Sequence, residues 1–145
     1  MTAARNIDIL LEKYGESHQN PTNEKIHFVC VPVIVWTVLG LIWVIHPYLA
    51  VAVSLVALGY YYYLSASFGV GMTLMVVAMF FLLFLLPPTW VLPTSVIAFV
   101  VAWIFQFIGH KIEGKKPSFL DDLRFLLIGP LFVLSFLYRR LQIRY

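Results

Sequence analysis

The sequence predicts an all-α membrane protein with four short transmembrane helices in two hairpins, an N-terminal amphipathic helix, and a C-terminal apolar helix that is interfacial, re-entrant or a fifth span. Composition is the first observation behind this. The 145 residues are 61% hydrophobic and 12% charged, whereas soluble domains run near 45–50% apolar and about 25% charged. The second is positional: Ile26 to Gly109 contains no Asp, Glu, Lys or Arg, so all ten basic and seven acidic residues lie in the flanks. The third is punctuation, because Pro and Gly divide the uncharged stretch into lengths that suit a bilayer.

From the N-terminus, Ile7, Leu10, Leu11 and Tyr14 follow the i, i+3, i+4, i+7 rhythm, with Asp8, Glu12 and Glu16 elsewhere on the wheel. Such a helix lies on a membrane surface or against a bundle, and Asn20-Pro21 is expected to end it. Breaks at His46-Pro47, Ser65 to Gly71 and Leu86 to Pro93 leave apolar segments near 28–45, 49–66, 70–86 and 92–109. Each spans about 26 Å at 1.5 Å per residue, close to the short limit for a hydrocarbon core of about 30 Å. A β-barrel would need alternating polarity, but VVAMFFLLFLL and VIAFVVAWIF are apolar on both parities.

The connections after spans one and three lack Lys and Arg, while Lys25 precedes span one and Lys111, Lys115 and Lys116 follow span four. The positive-inside rule therefore puts both ends of the four-helix block in the cytoplasm. Residues 118–137 are apolar but carry Asp121, Asp122 and Arg124 near their start and Pro130 mid-way. As a fifth span they would leave Arg139, Arg140 and Arg144 on the uncharged side, so a cytoplasmic interfacial or re-entrant segment is expected. The chain reads as one membrane domain, 1–145: an amphipathic helix and loop (1–25), four spans (26–109), and a basic loop with the C-terminal helix (110–145).

Several function classes drop out. A net charge of +3 confined to the flanks offers no basic face for nucleic acid. A single cysteine, Cys30, in the apolar setting HFVCVPV, excludes an internal disulfide and favours an inert thiol. No G-x-S-x-G elbow, Walker loop or Rossmann loop occurs, so nucleotide enzymes are not expected. Four histidines are too few for the clusters of a membrane di-iron desaturase. No cleaved targeting segment is expected, since residues 4–15 intersperse acids among apolar positions.

Helix geometry sorts those histidines. His27 and His46 lie at opposite ends of span one, about 28 Å apart. An even number of spans returns His110, after span four, to the end that holds His27, and His18 lies just ahead of span one. His18 follows Tyr14 by four and, if the first helix reaches that far, continues its buried stripe. Trp103, Gln106, His110 and Glu113 form one stripe at the end of span four. Polar side chains there require partners or a function, and Gln106 stands one turn from His110, where it can orient the ring. Three imidazoles with one or two carboxylates suit iron(II) with open positions for oxygen, or zinc holding a water.

The order Tyr14, His18, Asn20-Pro21, Asn23, Ile26-His27, then Val31-Pro32, Trp103-Ile104-x-Gln106-Phe107-Ile108-Gly109-His110, Lys115-Lys116-Pro117, Leu120, Asp121, Leu123 and Gly129-Pro130-x-Phe132 resembles the 2-hydroxy fatty acid dioxygenase family, small membrane proteins named for metabolism of phytosphingosine to odd-numbered fatty acids. The likeness covers residues 7–46 and 98–137. It implies an iron(II)-dependent α-oxidation in which a 2-hydroxy fatty acid and O2 give a fatty acid one carbon shorter and CO2, part of sphingolipid catabolism. It further implies catalytic and Fe(2+)-binding roles for His18, His27 and His110, with Glu113 a further candidate ligand. Glu113 departs from the eukaryotic pattern in standing three rather than four residues after the last histidine. Gln106, Asn20, Asn23 and Tyr14 are the expected supports, and Lys111, Lys115 and Lys116 are candidates to attract the substrate carboxylate. The expected location is the endoplasmic reticulum in a eukaryote or the inner membrane in a bacterium, with the site on the cytoplasmic side. Two alternatives remain open: a zinc-dependent lipid hydrolase using the same histidines, and a non-enzymatic bundle that binds a lipid or a partner protein.

Overall fold

A computed structural model describes residues 5–115 and 125–145 of the chain. The described residues form six helices: α1 (Asn6–Gly15), α2 (Pro21–Ile45), α3 (Pro47–Leu64), α4 (Ala66–Leu85), α5 (Pro88–Glu113) and α6 (Ile128–Arg140). Helices α2 to α5 are each long and apolar enough to cross a membrane. Their outer faces carry large hydrophobic residues, among them Val56, Leu74, Phe84 and Ile97, all more than 60% exposed. Water would penalise such a belt, and lipid does not.

The helix ends follow from local chemistry. Asn20 caps α2, its side chain accepting the Thr22 backbone N–H at 2.9 Å with Pro21 at the first helical position. The helix thus begins at Pro21 rather than near residue 28, taking in the polar PTNEK turn. His46 does the same for α3, its Nδ1 accepting the Tyr48 N–H at 3.2 Å. Only Ser65 breaks the chain between α3 and α4, and the glycines that follow are helical. They serve packing: a Cβ on Gly69 would collide with the Tyr62 ring, and one on Gly71 with the Tyr138 hydroxyl. Likewise Leu86 and Pro87 alone separate α4 from α5, and Pro93 lies within α5. Gly114, at φ 76°, ends α5 in the left-handed conformation that glycine adopts without strain.

Helices α2 and α5 form the most intimate pair, running antiparallel so that the start of one meets the end of the other. Cys30, Ile34, Ala102 and Trp103 fill their interface. A second core joins α1, α3, α4 and α6 through Ile7, Leu11, Tyr61, Phe68, Met72, Leu131 and Tyr138. Helix α6 has 13 residues, about 20 Å, which falls short of a hydrocarbon core of about 30 Å. It packs on α1, α2 and α4. The first part of the expected 118–137 segment, with Asp121, Asp122 and Arg124, lies outside the described residues.

Candidate metal centre

Three elements each deliver one imidazole to the same end of the bundle. Helix α1 stops at Gly15, short of His18, and a turn closed by the His18 N–H on the Gly15 carbonyl (3.0 Å) carries the chain on. His18 nevertheless keeps to the inward stripe, because its ring stacks on Tyr14 with centroids 4.3 Å apart and planes 6° apart. Its Nδ1 donates to the Tyr14 carbonyl at 2.7 Å. In the second turn of α2, His27 Nδ1 donates to the Asn23 carbonyl at 2.9 Å. A carbonyl oxygen can only accept, so Nδ1 holds the proton in both rings, and in the neutral imidazole Nε2 keeps the lone pair that a metal needs. His110 comes from the last turn of α5.

The three rings are 6%, 2% and 5% exposed. Centroids are 4.1 Å apart for His18 and His27, 5.1 Å for His27 and His110, and 5.8 Å for His18 and His110. One ligand nitrogen from each lies within 4.8 Å of the other two. At metal–nitrogen distances of about 2.1 Å, two nitrogens across one ion are at most about 4.2 Å apart, so small ring movements bring all three onto a single ion. The donor set fits a divalent transition metal, with imidazoles aligned through the carbonyl contacts that commonly support metal-binding histidines. His46, by contrast, is at the far end of α2, capping α3.

Glu113 does other work in this arrangement. Its carboxylate accepts the Gln19 backbone N–H at 2.9 Å, the Asn20 backbone N–H at 2.8 Å and the Asn23 amide at 3.1 Å. It thereby fastens the end of α5 to the loop between α1 and α2, and it is absent from the converging ligand group. Both asparagines are structural joints: Asn20 caps α2, and the fully buried Asn23 also contacts the Ser17 carbonyl at 3.3 Å. Gly109 makes room for this, since a Cβ there would overlap Asn23 Oδ1. Nothing in residue spacing discloses which way the Glu113 carboxylate turns.

On the inner side, His27, Tyr14, Trp103 and Gln106 line a cavity of about 20 Å3 together with Leu126 and Gly129, room for one water. Gln106 is 3% exposed, and its Oε1 has no hydrogen-bond partner among the described residues. On the outer side, His18 lines an open groove of about 620 Å3 with Asp8, Glu12, Glu16, Glu24 and Arg139. The candidates for carboxylate attraction do not reach the cavity: Lys111 and Lys115 are exposed, and Lys116 lies outside the described residues. Sequence reasoning named Phe132 within a motif but gave it no place at the site. Phe132 packs on Tyr14 at 4.8 Å and on His18 at 5.7 Å, and the Gly129-Pro130-x-Phe132 motif was its available signal.

A family model described as Mpo1-like, 2-hydroxy-palmitic acid dioxygenase, matches residues 4–141. No curated protein and no solved structure matches the chain.

Proposed function

The chain belongs to the Mpo1-like family, and from that premise we propose that it is an iron(II)-dependent membrane dioxygenase that shortens 2-hydroxy fatty acids by one carbon. The observation that supports this most directly is the buried trio His18, His27 and His110, with ligand nitrogens within 4.8 Å of one another. The overall change is R–CH(OH)–COOH + O2 → R–COOH + CO2 + H2O. The substrate loses four electrons as its C1–C2 bond breaks, and O2 takes up all four.

Iron(II), when bound, supplies positions at which the substrate's hydroxyl, its carboxylate and O2 meet. The protein's part is to hold that meeting place in a fixed geometry. Tyr14 and Asn23 carbonyls set the tautomer and tilt of His18 and His27, and the Glu113 clamp keeps the His18 loop against the α5 end that bears His110. The Gln106 amide faces the cavity beside His27, where it can hydrogen-bond the substrate's 2-hydroxyl. The open groove at His18 serves as the water-side route for small reactants and products. Positive residues Lys25, Lys111 and Lys115 surround this end of the bundle, which we take to be cytoplasmic.

Three imidazoles also make a competent zinc site, so the test must report the metal as well as the product. Protein purified without oxygen should contain iron near one equivalent, consume O2 on addition of 2-hydroxypalmitic acid, and yield pentadecanoic acid with CO2. Stoichiometric zinc with an O2-independent activity would move the assignment to a lipid hydrolase.

A further inference from the structure

A second cavity, of about 160 Å3, lies between α2, α3 and α4, lined by Val35, Leu39, Ile42, Met72 and Val76 among others. Its surface is almost entirely hydrocarbon. The two hydroxyls on its wall are engaged elsewhere: Ser54 donates to the Ala50 carbonyl at 2.8 Å, and Tyr61 to the Leu127 carbonyl at 2.9 Å. A polar ligand would find no partner there and would lose its hydration. Leu126 lines this cavity and also the one beside His27, so the two meet at its side chain. At its other side, Val53, Ala57 and Leu127 are shared with an apolar opening of about 400 Å3 on the α3 surface. Val53 and Val56 there belong to the exposed apolar belt.

We propose that this cavity is the acyl-chain site: a saturated hydrocarbon tail enters sideways from the bilayer past α3 and lies along α2, while its polar head passes Leu126 to the histidine cluster. The occupant follows from position and chemistry. Val35, Val38, Leu39 and Ile42 stand 8 to 15 residues beyond His27 on α2, about 12–22 Å at 1.5 Å per residue. The line thus runs from the polar end of the bundle deep into the membrane, the extent and direction of a long fatty chain with its head at the histidines. Leu39 and Ile42, farthest from the head, then limit chain length. The chemical identity of the head rests on the dioxygenase reading, whereas the tail site does not.

The test uses 2-hydroxypalmitic acid carrying a terminal photoreactive diazirine, added to the full protein in lipid nanodiscs. Adducts are expected on the cavity residues of α2 and α3. Val38→Trp fills the cavity from one wall and Ala57→Leu from another; each should cut that labelling about tenfold, and one folded variant suffices. In active protein the same variants should raise KM for sixteen-carbon substrate while sparing an eight-carbon one. Adducts confined to outward residues such as Leu74 or Phe84, indifferent to both substitutions, would overturn the acyl site even if turnover proceeds. Cavity labelling in protein that never consumes O2 would support the acyl site and count against the reaction assigned above.

Discussion

The Asn20 backbone N–H donates to the Glu113 carboxylate across 2.8 Å, joining positions 93 apart in the chain. His18 lies two residues before one partner and His110 three before the other, so this contact sets the spacing between two of the three imidazoles.

Removing that carboxylate should therefore loosen the site without deleting a ligand. Glu113→Ala deprives three donors of their acceptor, and because the residue is only half-buried, water replaces part of what is lost. A cost of about 1–3 kcal/mol is expected, seen as a lower Tm. Metal affinity should fall about 10–100-fold, the effect of losing a group that supports a ligand. Full occupancy should return at saturating metal. Failure to regain it would make Glu113 a ligand.

The fold and the histidine trio were legible because they depend on one-dimensional facts. An uncharged stretch bracketed by His27 and His110, with an even number of spans between, brings its ends together whatever the packing. The start of α2 was less legible, because Thr22, Asn23, Glu24 and Lys25 conceal the apolar rhythm while the Asn20-Pro21 cap signature is easily read as a helix stop. Gly69 and Gly71 looked like breakers but are contact points for Tyr62 and Tyr138, a distinction that only a partner helix makes. The role of Glu113 and the placement of Leu126 between two cavities arise wholly from tertiary packing.

Gly109 and Gly40 offer a matched comparison on the α2–α5 interface. A Cβ at Gly109 would overlap Asn23 Oδ1, and one at Gly40 would overlap Ser95 Oγ. Both alanine variants should lose stability by about 1–3 kcal/mol, the usual cost of overpacking. Gly109→Ala should also weaken metal binding, because Asn23 supports His27 through its carbonyl. Gly40 lies 13 residues beyond His27, about 20 Å along α2, and its variant should bind metal normally. Thermal unfolding together with metal titration checks both; equal metal affinity in the two variants would sever Asn23 from the site.

Gln106 presents a buried carbonyl oxygen that has no protein partner among the described residues, an arrangement that costs about 1–3 kcal/mol. Gln106→Leu should leave Tm unchanged or raise it. Its effect should fall on substrate choice: discrimination between a 2-hydroxy fatty acid and the unhydroxylated acid in competitive binding should shrink about tenfold, since a hydrogen bond to the hydroxyl is the contact removed. A variant that loses stability but keeps its discrimination would reduce Gln106 to a packing residue.

The histidines provide the most direct trial of the centre. His18, His27 and His110 come from a turn, a helix start and a helix end, and no two of them are close enough in sequence to bind an ion by local spacing. Each single alanine substitution should therefore lower metal affinity by more than about 100-fold, beyond the 10–100-fold range of a supporting contact. His46→Ala, at the opposite end of α2, should bind metal as the parent does while losing its hydrogen bond to the Tyr48 N–H. Elemental analysis and metal titration of the four proteins, each checked for helicity by circular dichroism, separate the outcomes. If the His18 variant alone bound normally, two helix residues and a water would be the donors, and the turn after α1 would be a lid over the centre rather than a part of it.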